Sequence, residues 1–96
     1  MPAYLLIRVQ VHDPEALKEY QAVAPAIVEQ YGGRFLTRGG EMLALEGPGE
    51  SRRTILIEFD NLGQTQVFYN SPEYQAAIKL RAGAATFEIT ALEGVE

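Results

Sequence analysis

The side chains in this sequence best suited to hold a small organic molecule are Tyr20, Tyr69, Ser71, Tyr74 and Arg81. Tyr69 and Tyr74 flank Asn70-Ser71-Pro72-Glu73, which interrupts a helical pattern. Where a helix breaks, backbone groups and side chains can both meet a ligand. Phenolic hydroxyls with the guanidinium of Arg81 could orient an acid or a carbonyl compound. The competing reading makes these rings part of the core, with their hydroxyls at its rim. His12 is the only histidine and stands beside Asp13, a pairing that could serve as a general base. The plainer account is an exposed histidine at a strand end whose neighbour Asp13 caps a helix. Glu58 lies in the apolar run Ile55-Leu56-Ile57-Glu58-Phe59. It could be a base with a raised pKa, or the acidic half of an ion pair with an arginine of a facing sheet.

Other chemistries are poorly served. One histidine, dispersed carboxylates and no cysteine give no metal-ligand spacing, no iron–sulfur site and no disulfide. No metal and no cofactor are expected. Gly32-Gly33 and Gly39-Gly40 do not form G-x-G-x-x-G and open no helix, so they read as turns and not as phosphate cradles. The net charge is −5, and the acids are scattered as a solvated surface. The only adjacent basic pair is Arg52-Arg53, in a predicted loop. Nucleic acid and anionic membranes are therefore poor partners, because phosphate binding needs a basic stripe. No apolar run approaches the ~18 residues of a membrane span. Met1-Pro2-Ala3-Tyr4 lacks the basic segment of a secretory signal. These features lead us to expect a single cytoplasmic domain over the 96 residues.

The elements that must position these residues follow from periodicity. Ala3 to Val11 alternates, with Leu5, Ile7, Val9 and Val11 on one face of a strand. Asp13-Pro14-Glu15 starts a helix, with Asp13 as cap and Pro14 at the first position. Leu17, Tyr20, Ala24, Ile27, Val28 and Tyr31 follow at helical spacing, and Gly32-Gly33 stops the helix. Pro25 removes a backbone donor and predicts a kink or break near Ala24. Arg34 to Arg38 is a strand, Gly39-Gly40 a turn or bulge, and Met42 to Glu46 further extended chain. After the Gly47-Pro48-Gly49 loop, Thr54 to Phe59 alternates as a strand. Asp60 or Asn61 caps a helix running to about Asn70. Ser71-Pro72 restarts it, Gly83 ends it, and Thr86 to Leu92 is the last strand. The order βαββαβ, with a broken second helix, is that of a ferredoxin-like α+β fold: a four-stranded antiparallel sheet with helices on one face.

The other sheet face predicts a partner. Leu6, Leu36, Leu56 and Leu92 would lie there beside Arg8, Arg38, Glu58, Glu88 and Thr90. Several leucines on one open face point to a second copy of the chain packed back to back. Arg8 could then pair with Glu58 or Glu88 on neighbouring strands. The bland alternative covers the patch with a loop or the C-terminal tail.

An ordered set of residues carries a resemblance. It comprises Tyr20, Gly32-Gly33-Arg34, Arg38-Gly39-Gly40, Leu45-Glu46-Gly47, Ile57-Glu58-Phe59 and Phe68-Tyr69-Asn70-Ser71-Pro72-Glu73-Tyr74-Gln75, with Arg81. Together these resemble the bacterial family called domain of unknown function 1330, over essentially the whole chain. The resemblance implies a dimeric α+β barrel, two ferredoxin-like sheets closed against each other. The wider superfamily includes cofactor-independent monooxygenases, small-molecule isomerases, haem-dependent enzymes and members without known activity. The family itself has no settled reaction, so no catalytic role carries over. His12 matches no haem ligand of the haem-binding relatives.

Two functions from different classes remain. In the first, a homodimer binds or transforms a small organic molecule between sheet and helices, through Tyr20, Tyr69, Ser71, Tyr74 and Arg81. In the second, the homodimer is a non-catalytic structural or regulatory module. RNA binding is disfavoured, since the central strands lack the aromatic pattern that stacks bases.

Overall fold

Alternation along the first strand decides the architecture. In the computed structural model, which describes residues 1–96, β1 (Ala3–Val11) buries Ala3, Leu5, Ile7 and Val9 on one face. It is central, pairing antiparallel with both β3 (Arg53–Phe59) and β4 (Ala85–Glu93), while β2 (Arg34–Arg38) flanks β3. The sheet order β2-β3-β1-β4 is that of the ferredoxin-like fold. Three helices cover one face: α1 (Pro14–Gln30), α2 (Leu62–Tyr69) and α3 (Pro72–Leu80). No helix is long and apolar enough to cross a membrane.

Each helix starts where a side chain satisfies an orphan backbone N–H. Asp13 accepts from Ala16, Asn61 from Gln64 and Ser71 from Tyr74. α1 turns Leu17, Tyr20, Ala24 and Val28 inward, α2 contributes Thr65 and Phe68, and α3 contributes Tyr74 and Ala77. These close on Ile57 and Phe59 of β3 to form the core, with Phe68 stacked between Phe59 (5.4 Å) and Tyr74 (4.5 Å). Burial of each such ring is worth about 1.5–3 kcal/mol. Gly33 lets α1 end tightly against the sheet. A Cβ there would lie 2.6 Å from the Phe59 ring and 2.8 Å from Val28.

Several expectations change. α1 runs unbroken through Pro25. The carbonyl that proline leaves without a partner belongs to the exposed residue Gln21, where water can serve it. Met42 to Glu46 forms no strand, and Leu43 and Leu45 are more than three-quarters exposed. Arg53 belongs to β3 and not to the preceding loop.

The most consequential change is in β2. Phe35 pairs with Ile57, but Thr37 pairs with Leu56, so Leu36 is an extra residue in a bulge. One added residue inverts the alternation beyond it. Arg38 consequently lies opposite Ile55, on the helix-covered face, and not on the open face beside Arg8.

The open face keeps its leucines. Leu36 and Leu92 are nearly half exposed, and Leu6 and Leu56 are half-buried. Its charges pair differently from expectation. Arg8 Nε lies 3.2 Å from Glu50 Oε1, Arg52 bridges Glu50 and Glu88, and Glu58 pairs with Arg34 of its own sheet. The loop before β3 brings Glu50 and Arg52 to this face, so Arg8 pairs with Glu50, and Glu88, which stands opposite Arg8 in the register, pairs with Arg52.

Candidate functional site

A cavity of about 330 Å³ lies between α1 and the sheet. Its floor is strand residues that alternate toward the helices, including Ile7, Val9, Phe35, Ile55, Ile57 and Phe87. Its roof is the inward stripe of α1, Leu17 to Val28. Twelve of the sixteen lining residues are hydrophobic, which makes the walls apolar. The polar lining residues are Gln21, Arg38 and Arg53, all exposed at its edge, and two of the aromatic rings, Tyr20 and Tyr74, carry hydroxyls.

Tyr20 and Tyr74 come from α1 and α3, and their hydroxyl oxygens are 2.6 Å apart. Helical spacing turns Tyr20 inward with Leu17 and Ala24, and the Ser71 cap fixes the first turn from which Tyr74 projects. Both residues are buried, Tyr74 to 1% exposure. Burial first, and then Tyr74, push the Tyr20 phenol well above its ordinary pKa, and nearby Arg81 offsets part of that. A phenol held this way stays protonated at neutral pH and acts as a hydrogen-bonding group, not as a phenolate. Of the two phenolic hydrogens, one lies between the oxygens. The second is left over from this bond.

Arg81 lies under this pair. Its guanidinium carbon is 3.7 Å from the Phe87 ring centroid and 5.3 Å from that of Tyr20, a cation–π stack that holds charge against aromatic faces. Arg81 and Tyr69 line a second cavity of about 480 Å³, on the other side of Phe87, with Leu5, Ile89 and Ala91. Ser71 is buried. Its Oγ donates to the Phe68 carbonyl at 2.8 Å and accepts from Tyr74 N at 3.1 Å, so its hydrogen-bonding capacity is used locally. The structure thus brings Tyr20 and Tyr74 together in the first cavity and Tyr69 and Arg81 in the second, with Ser71 behind Tyr74.

His12 and Glu58 lie apart from both cavities. His12 Nε2 is 2.7 Å from Thr86 Oγ1, while Asp13 is engaged as the α1 cap. Glu58 is on the open face with Arg34. No group of three or more His, Cys, Asp or Glu side chains converges.

A second tether joins α1 to α3 beside the first cavity. Tyr31 Oη donates to Glu73 Oε1 at 2.6 Å, and Gln30 Nε2 donates to Glu73 Oε2 at 3.2 Å. The Tyr31 hydrogen bond holds the Glu73 carboxyl below its ordinary range, and the same bond raises the Tyr31 phenol.

Sequence reading missed Arg38 and Arg53 as cavity residues. For Arg53 a signal existed, because it continues the odd-numbered face Ile55-Ile57-Phe59. For Arg38 none existed, since its face depends on the Leu36 bulge.

Comparison with known proteins places this geometry. A family model described as "Domain of unknown function (DUF1330)" matches residues 2–95. No curated protein matches the chain. Among solved structures, a protein of unknown function from Rhodopseudomonas palustris is 23% identical with a TM-score of 0.71, over 99% of this chain and 83% of that one. SnoaB, a cofactor-independent oxygenase from Streptomyces nogalater, is 13% identical with a TM-score of 0.66, over 99% and 94%. A dimeric ferredoxin-like protein of unknown function from a Jannaschia species is 14% identical with a TM-score of 0.68, over 98% and 100%. At these identities the likeness is one of fold.

Proposed function

The chain belongs to the DUF1330 family, and on that footing we propose that it is a homodimer, a closed α+β barrel, that takes a small organic molecule into the cavity under α1. There it binds the molecule or transforms it without a cofactor. The observation that carries the reading is the bonded pair Tyr20 and Tyr74 in the wall of a predominantly apolar cavity. An apolar pocket with a few convergent polar groups is the usual form of a small-molecule site. The spare phenolic hydrogen would meet a carbonyl or hydroxyl oxygen of the ligand. Arg81 would hold Tyr20 from behind, Ser71 would fix Tyr74, and Tyr69 would border the neighbouring cavity that Arg81 shares. SnoaB is described as a cofactor-independent oxygenase, and its shared fold supports the class of reaction while leaving the substrate open.

The dimer rests on the open sheet face. Leu6, Leu36, Leu56 and Leu92 form an apolar surface that a second copy would cover. The Jannaschia protein is described as dimeric, which supports the same arrangement here. A non-catalytic structural or regulatory homodimer is the competing function. What favours it is that Tyr20 and Tyr74 already bond to one another, as two structural hydroxyls would.

Native mass spectrometry of gently purified protein tests the proposal. A dimer carrying additional organic mass is expected. A dimer that retains nothing and takes up no member of a small aromatic and carbonyl library would shift the function to the non-catalytic reading. A monomer would overturn the barrel.

A further inference from the structure

Arg38 and Arg53 are cations without a carboxylate, side by side at the edge of an apolar cavity. The chain carries 13 acids against 8 lysines and arginines, so the lack of partners is not a shortage of acid. Arg8, Arg34 and Arg52 each hold a glutamate, and Lys18 holds Glu15. Arg38, Arg53, Lys79 and Arg81 make no ion pair, and of these only Arg38 and Arg53 line the first cavity.

Both are nonetheless set in place. The Arg38 guanidinium carbon lies 4.6 Å from the Phe35 ring centroid. Arg53 lies across Gly39, where a Cβ would come within 2.8 Å of its Nε. Its Nη2 donates to the Arg38 carbonyl at 3.5 Å. Gly39 itself has φ +80, which favours glycine a second time. The bulge at Leu36 brings Arg38 to this face, and the register opposite Val9 brings Arg53.

A guanidinium offers a planar fork of donors matched to a carboxylate and is more weakly hydrated than an ammonium. We propose that the ligand of this cavity is a small carboxylate with an apolar body, its ring or hydrocarbon among the core residues and its carboxylate on Arg38 and Arg53. This rests on the reading of the cavity as a small-molecule site and adds the chemical class. The body reaches inward toward the Tyr20–Tyr74 pair, and the anion stays at the exposed edge, where the cost of removing it from water is smallest.

The test compares 2-naphthoate with 2-naphthamide, matched in body and differing in charge, by calorimetric titration. Naphthoate should bind about tenfold more tightly. That advantage should fall to near unity in the Arg38→Gln/Arg53→Gln double variant, whose altered residues are exposed and outside the core. On the unaltered chain, raising salt from about 0.05 to about 0.5 M should weaken naphthoate and leave naphthamide unchanged. This second measurement decides the matter should the double variant fail to fold. Equal binding of both compounds would overturn the carboxylate class and leave the cavity reading intact. A charge preference that survives in the double variant would overturn the assignment to these arginines. Binding of neither compound would overturn this proposal, and the cavity reading is then decided by the native mass spectrometry and library described above.

Discussion

The hydroxyls of Tyr20 and Tyr74 meet at 2.6 Å although the residues are 54 positions apart. α1 and α3 are thereby joined by a polar bond inside the core, and Glu73 adds a second link to Tyr31 nearer the surface.

Removing one of these hydroxyls leaves the other buried without a partner. Tyr74→Phe should cost about 1–3 kcal/mol of unfolding free energy, and Tyr20→Phe a similar amount. The double variant should cost less than the sum, because it removes both groups. Urea denaturation of the three variants checks this. Additive losses would mean that the hydroxyls do not interact in solution.

Gly32 and Gly33 are adjacent but constrained differently. At Gly33 an added Cβ meets the Phe59 ring and Val28, and at Gly32 it meets nothing while φ is +82. Gly33→Ala should lose about 1–3 kcal/mol by overpacking, and Gly32→Ala about 1 kcal/mol by backbone strain. Asparagine tolerates positive φ, so Gly32→Asn should be milder than Gly32→Ala, while Gly33→Asn should be worse than Gly33→Ala. Denaturation midpoints read the order. The reverse order would refute the close approach at Gly33.

Hydrogen bonds from Arg52 are the main cause holding the Glu50 carboxyl at about 2, below its ordinary 4.5. A carboxyl with a depressed pKa in the folded chain binds its proton later there than in the unfolded chain. Its stabilising effect is therefore complete above about pH 4.5 and is lost as pH falls through about 2. Glu50→Gln should flatten part of the acid-side decline in melting temperature. Parallel curves for the two proteins would refute the role of Glu50.

Leu56 stands opposite Leu6 at the centre of the open face. In the proposed back-to-back dimer Leu56→Asp would place a charge in an apolar contact, and it should raise the dissociation constant at least about tenfold. Sedimentation equilibrium measures it. An unchanged dimer would move the interface elsewhere.

Local chemistry made much of the fold legible. Alternation in β1 and β3 and the caps Asp13 and Ser71 are written within a few residues of where they act. Asn61 needed only the choice between two neighbouring cap formers. Helical spacing also turned Tyr20 and Tyr74 inward. That they meet depends on how α1 and α3 cross the sheet, which no window of sequence contains. Of the kink or break expected at Pro25, the break does not occur, because a lost helical bond matters less when the freed carbonyl belongs to an exposed residue. Met42 to Glu46 has the composition of extended chain but gains no neighbouring strand. The Leu36 bulge is set by pairing with β3, so the face of Arg38 was hidden, and with it half of the charged edge of the cavity.

The extra residue at Leu36 also bears on how proteins of this shape can diverge. A point substitution changes a side chain where it stands. Loss of a single codon from β2 would instead straighten the strand and carry Arg38 through the sheet, from the cavity edge to the leucine face, with its chemistry intact. On the proposed carboxylate ligand, chain length in this short strand would thus set the charge preference of the cavity, independently of which side chains the strand carries.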